Sequence, residues 1–467
     1  MLRKTKDNQF NYDHVEKLDS KNHDKAYEFC EGYKDFISTC KTERECVSYI
    51  IEVAKKNGYK DFYANKVTSF NKGDKYYYND RNKAVVLFTV GEKALSDGIN
   101  FLVAHIDSPR IDLKANPIYE TDELCYFKTH YYGGIKKYQW PTVPLSMHGR
   151  IFKEDGSYID VNIGEKDGDT QFIITDLLPH LERNDHGDKK ISEAIKGEDL
   201  NILLGSIPFI DKDNKEETNL VKKNILQILN KTYGITEKDF VRAEIEFVPA
   251  TKPTDIGFDR SLIAGYGQDD RVCSYPQLIA ELNYKGDGKT SVTVFTDKEE
   301  IGSEGNTGMV SNFLFDMLED MAEISQVKVR DVYRKSICFS SDVTSAYDPT
   351  FSDVFESRNS SYLNRGVAVM KYTGSRGKSS SNDTSAETMA YVIKILDDNN
   401  VVWQTGELGK VDIGGGGTIS KYMSQRNIDT VDIGVPVLSM HSPYEITAKL
   451  DIYHTYLGYA ALLNTKA

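Results

Sequence analysis

Apolar residues recur at helical spacing near the start of the chain. The stretch 42–58, TERECVSYIIEVAKKNG, places Thr42 three residues before Glu45 and ends on Gly58. Thr and Glu at this spacing form a capping box, and glycine commonly follows the last turn of a helix. The pattern predicts an amphipathic helix over this stretch.

Short, continuous apolar runs elsewhere indicate buried β-strands. They are bounded by turn or polar residues and occupy residues 84–90, 100–104, 291–295, 336–340, 367–370 and 431–437. Apolar runs of this length are typical of strands that are covered on both faces. Beyond residue 242 they alternate with helical segments, which favours a mostly parallel sheet between helices. Ligands bind such sheets at the carboxyl ends of the strands.

The residue composition and the hydrophobic pattern change between residues 110 and 242. This region is rich in Tyr, Gly, Asp and Lys and has short alternating pieces at 158–163 and 171–174. We interpret it as antiparallel strands, with the charged stretches 182–190 and 211–223 as exposed loops. The sequence therefore predicts an inserted β-rich domain over 113–242 and a catalytic α/β domain over 1–112 and 243–467.

Charge and composition exclude several classes of partner. The chain of 467 residues carries 58 Lys and Arg against 71 Asp and Glu, a formal net charge of −13. Such a surface repels phosphate backbones and anionic lipids, so we expect neither nucleic acid nor membranes as partners. The sequence has no run of about 20 apolar residues, and its start lacks the apolar stretch of a secretory signal. We expect a cytoplasmic protein.

The six cysteines show no spacing that is typical of zinc ribbons or redox motifs. They are scattered at positions 30, 40, 46, 125, 273 and 338. We expect reduced, mostly buried thiols. Any bound metal should therefore be held by histidine and carboxylate, which suits a catalytic site.

Residues of metal-binding type occur at five places in the predicted catalytic domain. Each place follows an apolar run or lies in a glycine-flanked loop: HID at 105–107, GQDDR at 267–271, DKEEIG at 297–302, SDV at 341–343 and MHS at 440–442. Each one alone has an ordinary explanation, because adjacent glutamates usually form a solvated surface and an isolated histidine is more often packed in a core.

Together the five places supply what a pair of divalent cations requires. Two ions about 3.5–4 Å apart need a bridging carboxylate, terminal His and carboxylate ligands, and a spare carboxylate to move protons. We predict that the ligands are His105, Asp269, Glu300, Asp342 and His441. Asp269 is the expected bridge, and the ions lower the pKa of the water that they share towards about 7.

Two further carboxylates complete the predicted site. Glu299 can turn away from the metals and accept the proton of the shared water as a general base. Asp107 lies two residues after His105, where it can hold the second ring nitrogen or act as an outer partner. The residue types leave Zn, Mn and Co open as the metal, since His and carboxylates accept all three.

The chain resembles the M18 family of metalloaminopeptidases, the group of aspartyl aminopeptidase and vacuolar aminopeptidase I. The likeness runs from about residue 101 to 450 and rests on the ordered motifs HIDSPR, GQDDR, DKEEIGSEG, SSDVTSAYDP and SMHSPYEI. The resemblance implies an α/β zinc-peptidase fold of the phosphorylase/hydrolase-like kind, a mixed sheet flanked by helices with an inserted, mainly-β dimerisation or lid domain. It also implies the five ligands above, Glu299 as the base, Asp107 as the orienting residue, and removal of N-terminal residues from peptides.

The resemblance also implies residues that bind the substrate or stabilise the reaction intermediate. His180 is similar to a histidine that family members extend into a neighbouring subunit's site to stabilise the tetrahedral intermediate, with a surface histidine as the alternative. Lys371 is similar to a lysine beside the substrate's first side chain, and Lys378 can add to its charge, which favours Asp or Glu there unless both are simply solvated. Ser345 and Asp348 stand where acid-specific animal enzymes carry histidines, so neutral residues such as Leu remain open.

The resemblance also implies a homo-oligomer, a tetrahedral dodecamer built from dimers. Two other functions stay open on the same fold: a catalytically idle assembly or binding protein, and a two-metal N-deacylase. The intact Glu299 and the five ligand positions favour the peptidase.

Overall fold

A computed structural model describes residues 20–182, 189–210 and 218–465. The chain divides into two compact units. The first unit comprises Met1–Asp107, Pro253–Met440 and Glu445–Ala467, and the second comprises Ser108–Lys252 and His441–Tyr444. The insert predicted over 113–242 lies inside the long segment of the second unit.

The helices of the described residues are numbered in chain order. They are α1 Ser20–Thr39, α2 Glu43–Lys56, α3 Pro179–Glu182, α4 Ile191–Ala194, α5 Leu220–Tyr233, α6 Gln268–Asn283, α7 Phe313–Ile324, α8 Val329–Tyr333, α9 Ala386–Asp398, α10 Ser420–Ser424 and α11 Lys449–Leu463.

The strands are numbered in the same way. They are β1 Lys60–Asp61, β2 Lys75–Asp80, β3 Ala84–Thr89, β4 Ile99–His105, β5 Arg110–Thr121, β6 Leu124–Tyr132, β7 Leu145–Phe152, β8 Tyr158–Ile163, β9 Ile173–Ile174, β10 Ile202–Gly205, β11 Ala243–Pro249, β12 Thr254–Ile256, β13 Leu262–Gly265, β14 Thr290–Thr296, β15 Ile337–Ser341, β16 Thr344–Ser345, β17 Val367–Met370, β18 Gly374–Ser375, β19 Trp403–Thr405, β20 Gly415–Gly416, β21 Asp429–Gly434, β22 Pro436–Leu438 and β23 Glu445–Ala448.

A mixed nine-stranded sheet organises the first unit. Its order is β1-β2-β3-β14-β4-β15-β21-β17-β19. The four central strands β14, β4, β15 and β21 are parallel, while β3 and β17 run antiparallel to their central neighbours. Strands β3, β4, β14 and β15 are buried along their whole length, which agrees with the continuous apolar runs of the sequence.

The predicted N-terminal helix is confirmed as α2, with Thr42 as its N-cap. The Glu45 N–H donates to Thr42 Oγ1 at 3.3 Å, and the Thr42 N–H donates to Glu45 Oε2 at 3.1 Å. Its apolar face, with Val47 and Ile50, is buried in the core of the first unit. This core lies against the central strands, so α2 supports the sheet from one face.

The single strand predicted over 431–437 is wrong. The structure has two strands, β21 ending at Gly434 and β22 beginning at Pro436. Proline has no N–H to donate, so the ladder of β21 cannot continue through it. The chain passes instead into a second sheet of the first unit, with the order β12-β13-β23-β22-β16.

The second unit is built on a seven-stranded antiparallel sheet. Its order is β8-β7-β11-β5-β6-β10-β9, and burial alternates along β6 as expected for a sheet with one exposed face. The strands predicted at 158–163 and 171–174 correspond to β8 and β9. Of the predicted loops 182–190 and 211–223, residues 183–188 and 211–217 lie outside the described residues, and residues 220–223 belong to α5 instead.

The six cysteines are buried and form no disulfides, as predicted. In the part of the chain that the structure describes, no helix combines the length and apolar character needed to cross a membrane.

Candidate metal centre

Three adjacent parallel strands of the first unit bring polar side chains to one edge of the sheet. His105 is the last residue of β4, and the register pairs it with Thr296 at the end of β14. Asp342 follows β15, the other neighbour of β4. The segments HID, DKEE and SDV therefore begin side by side, because the carboxyl ends of parallel strands meet at one edge.

Backbone geometry delivers the remaining carboxylates of this cluster. Asp269 lies at the start of α6, after Gly267 in the left-handed region at φ 72°. Glu299 and Glu300 form a short 3-10 helix between Lys298 and Gly302, which both have positive φ. This tight turn keeps both glutamates close to the end of β14.

The structure brings the predicted residues of the first unit together. His105 Nε2 lies 3.1 Å from Asp269 Oδ1 and 3.9 Å from Asp342 Oδ1. Two groups have their ligand atoms within 4.8 Å of one another: His105 with Asp269 and Glu300, and His105 with Glu299 and Asp342. The imidazole is common to both groups and is 1% exposed.

Asp107 connects the imidazole to the two glutamates. Its carbonyl oxygen lies 3.1 Å from His105 Nδ1, and its Oδ1 lies 3.3 Å from the same nitrogen. The two carboxylate oxygens accept the N–H groups of Glu299 at 3.1 Å and Glu300 at 3.2 Å. Asp107 thus contacts the ring nitrogen opposite to the one that faces the carboxylates, and it fixes the turn that carries both glutamates.

Glu445, which the sequence reasoning did not single out, is another contact of this cluster. Its Oε2 accepts the N–H of Gln268 at 2.6 Å and of Asp269 at 3.1 Å. The residue stands in the SMHSPYEI segment, four positions after His441. The sequence offers no distinctive signal for this contact, because the partners of Glu445 lie 177 and 176 positions away in the chain.

Gly434 permits β21 to pack closely against the backbone at Asp342. A Cβ at Gly434 would lie 1.8 Å from the carbonyl oxygen of Asp342. No other residue leaves that space open, so β21 can lie against the segment that carries Asp342 only with glycine here.

The electrostatics of the cluster are dominated by negative charge in a buried place. Burial raises the pKa of Asp342 well above its usual range, and the charges of Asp269 and Glu299 raise it further. Burial alone would lower the pKa of His105, but hydrogen bonds to Asp107 and Asp269 and the charges of Asp107 and Asp270 raise it well above its ordinary value. Both shifts mean that the cluster favours added positive charge.

The donor set fits divalent cations. Four carboxylates and one imidazole converge on a small volume, and their repulsion and burial oppose ionisation unless a cation compensates. Histidine nitrogen together with carboxylate oxygen suits zinc and the related first-row metals.

Two predicted histidines lie in the second unit. His441 Nδ1 is 3.0 Å from the carbonyl oxygen of Gly134, which belongs to the same unit. A Cβ on Gly134 would lie 3.1 Å from that Nδ1, which is tighter than an ordinary contact. His180 lies on α3 and is exposed to solvent.

The two predicted lysines follow β17. Lys371 is exposed, and because β17 runs antiparallel to β21, it does not follow the parallel strand ends that carry His105 and Asp342. Lys378 Nζ lies 3.0 Å from Asp383 Oδ2 and 4.2 Å from the centre of the Tyr372 ring. Lys378 also lines a cavity of about 320 Å³, which is bordered by Tyr372, Arg376, Glu407, Lys410 and glycines of the 414–415 segment.

Comparison with known proteins identifies close relatives. The family model described as aminopeptidase I zinc metalloprotease (M18) matches residues 36–462. A probable M18 family aminopeptidase 1 from Clostridium acetobutylicum is 48% identical, over 96% of this chain and 97% of the relative. The crystal structure of an M18 family aminopeptidase from Thermotoga maritima has a TM-score of 0.90 at 44% identity, covering 96% of this chain and 97% of that one.

A more distant structure shares the fold alone. The structure of the S. cerevisiae mApe1 dodecamer has a TM-score of 0.71 at 21% identity and covers 94% of this chain and 96% of its own. The family model spans nearly the whole sequence, and the identities with the bacterial relatives are high. The chain therefore belongs to the M18 family of zinc metalloproteases and is a metalloaminopeptidase.

Proposed function

We propose that this aminopeptidase uses two metal ions to remove the first residue from peptides that have a free α-amino group. The observation that supports the proposal is a pair of overlapping groups, in which the ligand atoms of His105 with Asp269 and Glu300, and of His105 with Glu299 and Asp342, lie within 4.8 Å of one another. These groups supply one imidazole, three carboxylates that can bind metal (Asp269, Glu300 and Asp342) and a spare carboxylate, Glu299, which is the set that a pair of cations requires.

Each ligand has an expected place in the proposed site. Asp269 would bridge both ions, Glu300 and Asp342 would each hold one, and His105 and His441 would each donate a ring nitrogen. Bound there, two divalent cations supply Lewis acidity, which polarises the scissile carbonyl and lowers the pKa of the attacking water. Zinc is the metal named by the family model, and Mn and Co fit the same donors.

Glu299 is the proposed general base. Its backbone N–H is held by Asp107, so the side chain starts from a fixed point at the edge of the cluster. Its carboxylate would take one proton from the attacking water and give it to the departing amine when the peptide bond breaks. Asp107 would orient His105 and the glutamate turn without touching the substrate.

Lys371 and Lys378 are proposed to set the preference for the first residue. The cavity beside Lys378 carries three cations, Arg376, Lys378 and Lys410, against one carboxylate, Glu407. A positively charged pocket favours Asp or Glu through ion pairs. The pairing of Lys378 with Asp383 reduces its free charge, so a neutral first residue such as Leu remains compatible with the pocket.

A homo-oligomer is the proposed state of the active protein. Leu177, Leu178 and Leu181 flank His180 and are 50%, 49% and 65% exposed. Exposed apolar side chains around a histidine fit a surface that a second copy covers. By the family resemblance this arrangement would be a tetrahedral dodecamer of dimers, the same number of subunits as in the yeast mApe1 dodecamer, with His180 acting in the site of a neighbour.

A substrate panel tests the proposed reaction. Metal-loaded protein is assayed with aminoacyl substrates that carry Asp, Glu, Leu or Lys first, and with the same substrates after acylation of the α-amine. We expect hydrolysis of the free amines, fastest for Asp and Glu. Hydrolysis only of the acylated substrates would support an N-deacylase, and no hydrolysis of any substrate would support an idle binding protein.

A further inference from the structure

We infer that Glu445 is a positioning residue that sets the orientation of Asp269, an inference that rests on the proposed metal site. Glu445 is the first residue of β23, pairs with Gly265 of β13, and is 1% exposed. Its partners Gln268 and Asp269 lie 177 and 176 positions earlier in the chain. The contact thus joins the strand that follows the SMHS segment to the start of α6.

Glu445 supplies acceptors that the helix itself cannot provide. The first N–H groups of an α-helix have no carbonyl partner inside the helix. Glu445 Oε2 accepts two of them, from Gln268 at 2.6 Å and Asp269 at 3.1 Å. An ionised acceptor makes stronger bonds than a neutral one, and negative charge is favoured at the N-terminus of a helix. The carboxylate therefore fixes this end of α6 firmly.

Asp269 depends on this contact because its own backbone is not helical. Its φ of −79° and ψ of 108° leave the helical region, and Gly267 before it has a φ of 72°. The regular hydrogen bonds of α6 therefore do not determine the direction of the Asp269 side chain. That side chain must reach His105, with Oδ1 at 3.1 Å from Nε2. Glu445 holds the peptide unit from which it projects.

The side chain of Gln268 reinforces the same arrangement. Its Nε2 donates to the carbonyl oxygen of Glu445 at 2.6 Å and of Ile263 at 3.2 Å. Its Oε1 accepts the hydroxyl of Tyr33, on α1, at 3.1 Å. Gln268 and Glu445 are both buried, so neither can turn towards solvent. Glu445 therefore holds the backbone of Asp269, and the buried side chain of Gln268 holds Glu445 in turn.

This geometry has a consequence for metal binding. Partners that orient a ligand without touching the metal commonly contribute 10–100-fold to affinity. Glu445 acts through the backbone of Asp269, the residue proposed to contact both ions. Disturbance of the contact between Glu445 and the two N–H groups should therefore weaken both metal sites together, and more than loss of a buried acidic side chain elsewhere in the same unit.

The test is a zinc titration of the full-length protein after chelation and dialysis, with a chromophoric chelator as competitor. We expect Glu445→Gln to lower zinc affinity at least about 10-fold. Glu445→Asp keeps a carboxylate, so the protein should fold. Its side chain is one methylene shorter, which moves the oxygen away from the N–H groups of Gln268 and Asp269, so zinc binding should still be weaker. The control is Asp451→Asn, since Asp451 is a buried acidic side chain of α11 whose oxygens likewise accept backbone N–H groups, of Asn364 at 2.8 Å and Gly366 at 2.7 Å.

The control should lower the thermal unfolding temperature and leave zinc affinity unchanged. Wild-type affinity in Glu445→Asp would overturn the inference, whether or not Glu445→Gln folds. An equal loss of affinity in Asp451→Asn would also overturn it, because the effect would then be a general one. Asp269→Asn separates this inference from the proposed function: if it too binds zinc as the wild type does, the proposed metal site itself fails.

Discussion

Two adjacent glutamates take part in different groups within the candidate centre. Glu300 is grouped with His105 and Asp269, whereas Glu299 is grouped with His105 and Asp342. Both backbone N–H groups are held by Asp107. The proposed division of labour assigns Glu300 to a metal ion and Glu299 to the proton of the attacking water.

Glu299→Gln tests that division. The amide keeps the size of the side chain but cannot accept a proton at neutral pH, so kcat should fall at least about 10²-fold. Metal content, measured by elemental analysis, should stay at the wild-type value because Glu299 is not a proposed ligand. Glu304→Gln, an exposed position in the same loop, is the control and should keep wild-type kcat. Unchanged kcat in Glu299→Gln would contradict the assignment.

The residues of the site were predictable from sequence where a metal-binding residue type follows an apolar run or lies in a glycine-flanked loop. His105 and Asp342 follow apolar runs, so the parallel edge predicts that they meet. Glu445 was not predictable in this way, because a carboxylate that accepts backbone N–H groups has no distinctive residue pattern. Its effect depends on the pairing of β13 with β23, which joins segments about 180 positions apart.

Among the elements of the first unit, a buried carboxylate forms ion pairs with both α1 and α11, the first and last described helices of the chain. Asp255 of β12 lies 2.9 Å from Lys34 of α1, from Lys449 at the start of α11, and from Arg260. Burial alone would raise the pKa of Asp255, but hydrogen bonds from these three cations lower it to about 2. Lys449 is itself 1% exposed, so it depends on this carboxylate for compensation.

Asp255→Asn should destabilise the protein in a pH-dependent way. The pKa is lower in the folded state than its usual value of 3.8, so the contribution of Asp255 is full above about pH 4 and is lost as the pH falls towards 2. We expect a loss of roughly 2 kcal/mol in the free energy of unfolding at pH 7, measured by urea denaturation. The difference from the wild type should narrow at pH 3.

The control for this prediction is an exposed ion pair. Lys56→Ala removes the pair between Lys56 and Glu52 on α2, whose side chains are 69% and 68% exposed. Such a pair contributes less than about 0.5 kcal/mol. The role of Asp255 would be contradicted if the loss of unfolding free energy in Asp255→Asn did not change with pH. A loss no larger than that of Lys56→Ala would also contradict it.

Elements were predicted well where one rule dominated. The capping box predicted α2, and short, mainly apolar runs predicted β3, β4, β14 and β17 within one or two residues. The run over 431–437 failed because Pro436 divides it between two sheets. Strand direction was also beyond the sequence pattern, since a buried run reads the same whether β17 is parallel or antiparallel to β21.

At the scale of the whole molecule, the proposed oligomer makes His180 a residue of a neighbour's site. A chain with His180→Ala would then fail at the neighbouring site and keep its own Glu299. A chain with Glu299→Gln would fail at its own site and still lend His180 to the neighbour.

Mixing the two variants tests this sharing. The two variants are dissociated, mixed in equal amounts and reassembled. A site is then active when its own chain is His180→Ala, which keeps Glu299, and the neighbouring chain is Glu299→Gln, which keeps His180. Random pairing predicts about a quarter of wild-type activity, which is half of the sites multiplied by half of the neighbours. The control is Glu299→Gln reassembled alone, which should gain nothing. Activity no higher than the mean of the parents, or a fully active monomer in sedimentation, would contradict the proposal.

The proposed metal site is a pair of cations held by His105, Asp269, Glu300, Asp342 and His441. A crystal structure of zinc-loaded protein tests this site, with anomalous diffraction recorded on both sides of the zinc absorption edge. We expect two anomalous peaks per chain, about 3.5–4 Å apart, with Asp269 between them. A single peak, or zinc bound elsewhere while these five side chains contact no metal, would rule out the proposed pair.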